Sequence, residues 1–321
     1  MKLQTKIPLE KQSNNPIDYT SNILLLGSCF VENIGKKLDY FKFQNLQNPF
    51  GILFHPKAIE SLVFDAINEK TYTEEDVFFH NEQWHYFNAH SKLSNNSKED
   101  LLHNLNESIR LTNQQIQKST HIIITLGTAW VYRSINTKQI VANCHKVPQK
   151  QFTKELLTDD AITTSIEATV SSIKSINPKA SIIFTVSPVR HIKDGFIENT
   201  QSKAYLITAI HQFLNQKASI VNQQSFYFPS YEIMMDELRD YRFYTEDMIH
   251  PNKIAIDYIW NRFQEAWMSP KADKIMEQVD TIQKGLQHKP FNPNSEAHQK
   301  FLQNLEVKKT QIQSQFSYIS F

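Results

Sequence analysis

Glycine and cysteine are scarce in this chain, whose 321 residues include 6 glycines and 2 cysteines. The two cysteines, Cys29 and Cys144, cannot form a disulfide framework, so their number favours a reducing compartment. A chain with so little glycine retains it mainly where the backbone needs its conformational freedom. Gly27, Gly51 and Gly127 lie at or near the ends of apolar runs, and these turns therefore indicate where a site would be found.

The chain also lacks an excess of one charge and any long apolar run. Its 34 basic and 33 acidic side chains give a formal net charge of +1, so nothing indicates a surface for nucleic acid or anionic membranes. No apolar stretch approaches the length of a membrane span, and the first residues lack the apolar core of a signal peptide. We expect a cytoplasmic protein without a membrane span or a nucleic-acid partner.

Motifs for cofactors and metals are missing as well. There is no G-x-G-x-x-G or G-K-[ST] phosphate loop, and no H-E-x-x-H or C-x-x-C metal motif. His80, His85 and His90 recur every five residues, a spacing that puts neighbours on opposite faces of a strand. We expect neither a cofactor nor a metal. The alternative is a metal-assisted hydrolase with ligands drawn from His145, His191, Asp247 and His250.

Short apolar runs alternate with helical patterns along the chain. Strands are predicted at 23–26, 40–46, 122–126, 182–186 and 225–228, and helices at 32–39, 56–68, 98–117, 159–176, 202–216 and 252–267. This alternation predicts a three-layer α/β/α sandwich with a mainly parallel sheet and right-handed crossovers.

The remaining segments define the predicted domain organisation. Insertions at about 72–97 and 130–158 interrupt the main domain, which we assign to 1–269, and they contain predicted hairpins at 77–87 and 130–141. The segment 270–321 is predicted to be a helical extension that either packs on the body or forms a homo-oligomer.

The stretch LLLGSCF at 24–30 places a serine between a strand and a helix. Ser28 then has its hydroxyl at the carboxyl edge of the sheet, near a helix N-terminus that favours negative charge. Nucleophilic acyl chemistry uses this geometry because an oxyanion forms next to the attacking oxygen. The alternative, which the stretch alone favours, is that Ser28 only caps the helix. Cys29 should point away from Ser28 and pack under the helix.

A second motif, YTEDMIHPN at 244–252, contains an aspartate and a histidine three residues apart. Pro251 keeps His250 in an extended conformation just before a helix. The helix N-terminus disfavours an imidazolium there. Asp247 can fold back one turn, accept the other ring N–H and fix the tautomer, as an orienting carboxylate does. The alternative is an Asp–His pair of structural use only.

Several stretches resemble the GSCFA family, which belongs to the wider SGNH (GDSL-like) hydrolase group. These are GSCF at 27–30, NPFGILFHP at 48–56, ITLGTAWVY at 124–132, NCHKVPQKQF at 143–152, TVSPVRHIKDG at 185–195 and the long stretch at 227–252. The resemblance covers roughly residues 20–265 in chain order, with Val31 where the family has alanine.

The resemblance implies a catalytic triad and part of an oxyanion hole. The nucleophile falls on Ser28 and the final D-x-x-H on Asp247 and His250. The amides of Ser28 and Gly51 would bind the oxyanion. The third-block G-x-N falls on 127–129, where position 129 is alanine. The Thr128 hydroxyl or Asn143 would have to replace the missing amide.

The loop that follows the strand at 182–186 supplies candidates for substrate binding. Arg190 would hold an anionic or carbonyl group and His191 would line the pocket, although Arg190 could instead pair with Asp236 or Glu237. Phe50, Gly127 and His145 are further candidates for the pocket. Ser202 is expected to cap the helix that it begins.

The sequence thus predicts an acyl-ester hydrolase or acyltransferase that works through an acyl-serine, on a small-molecule or glycan ester. An acylated carbohydrate or a cell-envelope-related small molecule would suit it. The alternatives are a non-catalytic binding protein on the same fold, because the third-block asparagine is missing, and the metal-assisted hydrolase.

Overall fold

A parallel sheet is the centre of the computed structural model, which describes residues 4–216 and 224–321. Within these residues the strands are β1 (Asn22–Gly27), β2 (Gln44–Gln47), β3 (Phe78–His80), β4 (Gln83–His85), β5 (His121–Leu126), β6 (Trp130–Ser134), β7 (Ile140–Val141), β8 (Phe152–Leu156), β9 (Ser181–Val186) and β10 (Ser225–Tyr227). The helices are α1 (Cys29–Tyr40), α2 (Pro56–Ile67), α3 (Lys98–Lys118), α4 (Asp159–Ile176), α5 (Phe196–Asn215), α6 (Ser230–Glu232), α7 (Lys253–Trp267), α8 (Pro270–Gln287) and α9 (Glu296–Gln315). A π-helix, Ile233–Leu238, continues α6.

In the described part of the chain, five strands form the central sheet in the order β10-β9-β5-β1-β2, and every neighbouring pair is parallel. This confirms the predicted fold class. The prediction of a strand at 40–46 is wrong in its start, because α1 continues to Tyr40 and the chain then turns at Lys42, which has φ 64°. The strand begins only at Gln44.

Alternate residues of each central strand face opposite helical layers. Leu24, Leu26 and Ile124 belong to the core that includes α2, α3, α4 and α5. Leu25 and Ile123 belong to the second core, with α1, α7 and α8. Because both of their faces are covered, β1, β5 and β9 are apolar over most of their length, whereas the edge strand β2 (QNLQ) is mostly polar. Each such buried side chain contributes about 1.5–3 kcal/mol relative to exposure.

Both predicted hairpins are present in the insertions. Strands β3 and β4 pair antiparallel, and in the described chain β6 lies between β7 and β8 in an antiparallel three-stranded sheet. His55 attaches this sheet to α2. Its Nδ1 accepts the Ala58 N–H at 3.1 Å, so its Nε2 donates to the Val141 carbonyl at 3.1 Å. Burial lowers the pKa of His55 to about 4.

The C-terminal helices pack on the body, one of the two expected arrangements. Val279 and Ile282 of α8 and Leu305 and Ile312 of α9 are buried in the core that also contains α1 and α7. None of the helices in the described ranges is long and apolar enough to cross a membrane.

Helix α5 begins earlier than the sequence predicts. Gly195, with φ 119°, is its N-cap, and the helix starts at Phe196. Ser202 is therefore inside the helix, where it is buried and its Oγ accepts the Ala129 N–H at 2.7 Å. The expected capping role of Ser202 is wrong, because its hydroxyl serves the turn after β5 instead.

The end of β1 requires glycine. Gly27 has φ 130°, and a Cβ added there would lie 2.1 Å from the Thr125 carbonyl oxygen of β5. Any side chain would thus strain the backbone and push β1 away from β5.

Gly27→Ala is expected to lower the free energy of unfolding by about 3 kcal/mol or more, because both the positive φ and the close approach are violated. Urea denaturation followed by circular dichroism measures the loss. Gly285→Ala in α8 is the matched control, since its added Cβ would meet the flexible Leu305 side chain, and it should change stability by less than about 1 kcal/mol. Equal effects at the two positions would contradict this requirement for glycine at the end of β1.

Candidate active site

Ser28 stands in the N-cap position of α1, but its hydroxyl makes no capping hydrogen bond. The residue is fully buried, and Oγ has no hydrogen-bond partner among the described residues. The capping interpretation therefore does not account for this serine. A buried hydroxyl without a partner costs about 1–3 kcal/mol. Native proteins contain few such groups, and a catalytic role is one reason for keeping one.

The structure pairs Asp247 with His250. Asp247 Oδ2 lies 2.7 Å from His250 Nδ1, and Oδ1 accepts the Thr245 hydroxyl at 2.6 Å and the Ile249 and His250 N–H groups at 2.8 and 3.0 Å. These bonds, that from Thr245 first, hold the pKa of the Asp247 carboxyl well below its usual range. An ionised Asp247 fixes the Nδ1–H tautomer, which leaves His250 Nε2 as an acceptor.

His191 lies against the turn that contains Gly127. A Cβ added to Gly127 would be 3.2 Å from both His191 Nε2 and Ser28 Cβ. Nε2 of His191 is buried and, within residues 4–216 and 224–321, has no hydrogen-bond partner. Burial, with smaller contributions from the charges of Lys203 and His250, lowers the pKa of His191 to about 3. The imidazole is thus neutral at any physiological pH.

The loops that carry His191 and His250 adjoin one another, since the Arg190 N–H donates to the Ile249 carbonyl at 3.2 Å. The structure therefore brings Ser28, Gly127 and His191 together and pairs Asp247 with His250 on the neighbouring loop. As judged from the described chain, no hydrogen bond joins Ser28 Oγ to His250.

The expected oxyanion donors of the backbone are used within the fold. The Ser28 N–H donates to the Thr125 carbonyl at 3.0 Å, and the Gly51 N–H donates to the Asn48 carbonyl at 2.7 Å. Neither N–H is free in this structure. The physical reason is that both lie in tight turns whose amides close the turn or extend the sheet.

The expected side-chain donors are committed in the same way. Thr128 Oγ1 accepts the Trp130 N–H at 3.0 Å and lies 3.1 Å from Ser202 Oγ. Asn143 Nδ2 donates to Ser91 Oγ at 2.9 Å. The structure gives both groups a local structural function.

Sequence reasoning missed Asn48, which lies after β2 with φ 40°. Its Oδ1 accepts the Gly27 N–H at 2.9 Å. Its Nδ2 is buried and unpartnered in the described part of the protein. The only signal was an asparagine near a glycine turn, because asparagine tolerates positive φ.

Lys203 is a second residue whose importance the sequence does not reveal. It is 1% exposed, and Nζ donates to the carbonyls of Gly127 and Ser187, both at 2.7 Å. The side chain thus joins the ends of β5 and β9 beneath the candidate site. Burial lowers its pKa to about 7, an effect that the nearby Cys29 thiol partly opposes.

Two expected pocket residues occupy other positions. Phe50 is 1% exposed and its ring packs against Tyr72 at 5.8 Å, a core position. His145 is buried in the insertion, where Nε2 lies 2.7 Å from the Tyr86 carbonyl oxygen, and burial lowers its pKa to about 4. Phe50 thus lies in the core and His145 is bonded within the insertion.

The cysteines are not activated nucleophiles. Burial raises the pKa of the Cys29 thiol, and it raises that of Cys144 to about 11. A reactive cysteine needs the opposite shift.

Arg190 borders a cleft of about 320 Å³ whose walls include Phe196, Tyr231, Met235, Tyr241 and Tyr244. The guanidinium lies 5.4 and 5.9 Å from the ring centroids of Phe196 and Tyr244. The expected alternative partner, Glu237, instead lies 3.4 Å from Arg262. Arg190 has no carboxylate within 4.0 Å among the described residues, so its charge is available to a ligand.

The metal-assisted alternative depends on a suitable set of donors. Residues 4–216 and 224–321 contain no group of three or more His, Cys, Asp or Glu side chains arranged to hold a metal ion.

The chain belongs to the GSCFA family, whose model matches residues 22–263. A second model, described as the GSCFA domain protein C-terminal domain, matches residues 279–321. No curated protein matches. A solved structure of an acetyl xylan esterase (Est2A) from the rumen bacterium Butyrivibrio proteoclasticus is 10% identical, with a TM-score of 0.33. The match covers 86% of this chain and 66% of that chain, and a likeness this distant carries no argument about activity.

Lys203→Met tests the buried lysine. Because the pKa of Lys203 is lowered to about 7 in the folded protein, the lysine binds a proton in the unfolded chain but not in the folded one between about pH 7 and its ordinary pKa. The unfolded state therefore binds more protons, and the wild type gains stability as the pH rises through this window. The wild-type advantage in unfolding free energy over Lys203→Met should grow by up to about 1.4 kcal/mol per pH unit between pH 7 and 10.

Urea titrations at pH 7, 8 and 9 measure this difference. Lys308→Met, at an exposed position of α9, is the matched control and should follow the wild type. A difference for Lys203→Met that is constant with pH would contradict the lowered pKa of Lys203.

Proposed function

We propose that this protein is a serine-dependent acyl-ester hydrolase or acyltransferase in which Ser28 carries the acyl group. The observation that supports this most is the buried Ser28 hydroxyl at the end of β1, which neither caps α1 nor bonds to any described residue. The Asp247–His250 pair supplies a general base on an adjoining loop. Asp247 Oδ2 lies 2.7 Å from His250 Nδ1 and so fixes the tautomer of the imidazole.

The proposed reaction has two balanced halves. Ser28 Oγ attacks the ester carbonyl carbon while His250 Nε2 takes its proton, and the carbonyl oxygen becomes an oxyanion. The C–O bond to the alcohol then breaks, and the alcohol oxygen receives the proton from His250. Water or another alcohol attacks the acyl-serine in the same way. Its proton passes through His250 to Ser28, and an acid or a new ester leaves.

The reaction requires movement, because Ser28 is fully buried in this structure. His191 lies against Gly127 beside it. The proposal therefore includes a displacement of the loop after β9 when substrate enters. The hydrogen bond from Arg190 to Ile249 connects that displacement to the loop of His250.

The cleft next to Arg190 suggests the substrate class. Aromatic walls stack on sugar rings, and an arginine without a carboxylate partner attracts an anionic group. We propose a glycan or small-molecule ester that carries a carboxylate or phosphate, an extension of the acylated carbohydrate expected from the sequence.

A second candidate function is a binding protein that has no turnover. Two observations favour this alternative: Ser28 is fully buried, and its hydroxyl forms no hydrogen bond with His250 or any other described residue. Such a protein would use the Arg190 cleft to hold its ligand without cleaving it.

Ser28→Ala tests the catalytic proposal. Hydrolysis of 4-nitrophenyl acetate should fall by about 10³-fold or more, while the free energy of unfolding should stay the same or rise by up to about 1–3 kcal/mol, because the variant removes a buried hydroxyl that no described residue bonds. Ser202→Ala is a structural control that should lose about 1–3 kcal/mol of stability, since it leaves the Ala129 N–H unpaired. Equal rates for wild type and Ser28→Ala would refute the proposal.

Arg190→Gln tests the substrate class. We expect kcat/KM for an acetyl ester with a carboxylate in its alcohol part to fall about 10-fold, with a small change for the neutral analogue. Arg110→Gln, which removes an exposed arginine paired with Glu107, should leave both substrates unaffected. A uniform loss for charged and neutral esters would show that Arg190 has only a structural role.

A further inference from the structure

We infer that the side-chain amide of Asn48 is the oxyanion donor for the reaction at Ser28. The inference rests on the proposed function and assigns the group that the sequence could not identify, since position 129 lacks the third-block asparagine. Its basis is that the Asn48 amide is buried and fixed and that its nitrogen has no hydrogen-bond partner among the described residues. The four donors expected from the sequence, on Ser28, Gly51, Thr128 and Asn143, are already hydrogen-bonded within the fold.

The hydrogen bonds of Asn48 fix its side chain. Oδ1 accepts the Gly27 N–H at 2.9 Å, and the backbone N–H donates to the Leu25 carbonyl at 2.9 Å. The backbone carbonyl accepts the Gly51 N–H at 2.7 Å. The amide is therefore held to the end of β1 from both its side chain and its backbone.

The remaining polar atom of the side chain, Nδ2, forms no hydrogen bond with any described residue. Asn48 is 8% exposed. Leaving an amide donor unsatisfied costs about 1–3 kcal/mol. A structural role alone would be met by the Oδ1 bond, so the unsatisfied half of the amide indicates a second role.

Its position suits an oxyanion donor. The Asn48 amide is bonded to the N–H of Gly27. Gly27 directly precedes Ser28, so the amide is held one residue away from the nucleophile. A donor that is fixed before the reaction needs no reorganisation when charge develops, which is what oxyanion stabilisation requires. The bond from the Gly27 N–H to Oδ1 fixes the orientation of the amide. Because an amide nitrogen only donates, Nδ2 remains a donor at any pH.

His191 Nε2 is another group near Ser28 that has no hydrogen-bond partner among the described residues. Whether it donates depends on the tautomer of the ring, and its loop must move to admit substrate. The amide of Asn48 has neither restriction, so we assign the donor to Asn48.

Asn48→Asp is the decisive variant. It keeps an oxygen for the Gly27 N–H and a residue type that tolerates positive φ, but it removes the N–H donor. With 4-nitrophenyl acetate, kcat should fall about 10²–10³-fold while KM changes by less than about 3-fold. Asn106→Asp, which alters an amide whose Oδ1 also accepts a backbone N–H, that of Tyr72 at 2.8 Å, is the matched control and should retain kcat.

A second measurement separates catalysis from structure. An alkyl trifluoromethyl ketone forms a tetrahedral oxyanion on an active serine, and its affinity should fall in N48D by the same factor as kcat/KM. If N48D does not fold, Asn48→Gly, which accepts φ 40° without strain, takes its place with the same expected result.

The outcomes are distinguishable. A folded N48D with kcat and ketone affinity within about 3-fold of wild type overturns the assignment to Asn48 and leaves the function of Ser28 standing. A wild-type protein with no turnover and no binding of the ketone overturns the proposed function, and this inference with it.

Discussion

The close contact between Gly27 of β1 and Thr125 of β5 is the constraint on which the candidate site depends. With φ 130° and no side chain, Gly27 brings β1 so near to β5 that a Cβ would lie 2.1 Å from the Thr125 carbonyl oxygen. The next N–H, that of Ser28, completes the sheet by donating to the same oxygen at 3.0 Å. On its other side Gly27 donates to Asn48 and accepts from Leu53. The chain turns immediately afterwards, so the Ser28 hydroxyl is left between neighbours that are already paired.

The charges around this point are arranged to keep one carboxylate ionised and the buried imidazole neutral. Asp247 receives several hydrogen bonds and holds its charge, whereas burial keeps His191 uncharged. Lys203 connects β5 to β9 below them. Because the lysine is fully enclosed and its pKa is lowered to about 7, its charge depends on pH near neutrality. The site thus combines an oriented Asp–His pair on the surface with a buried hydroxyl that no described residue bonds.

Sequence reasoning found the elements whose signal is local. The continuous apolar runs at 122–126 and 182–186 became β5 and β9, and the periodic segment 159–176 became α4 with the same bounds. It also found the Asp247–His250 contact, since three residues span one turn. It missed the turn at Lys42, whose positive φ has no clear signature. It could not show that the N–H groups of Ser28 and Gly51 are used in the fold, or that Asn48 and Lys203 are buried beside them, because those facts depend on distant partners.

Covalent modification by a fluorophosphonate tests most directly whether Ser28 is the nucleophile. Wild-type protein is incubated with the probe and digested, and the modified peptide is identified by mass spectrometry. We predict a single phosphonyl group on Ser28, formed much more slowly when His250 is replaced by asparagine. An unmodified Ser28 under conditions that label a known serine esterase, or modification at another serine, would contradict the assignment.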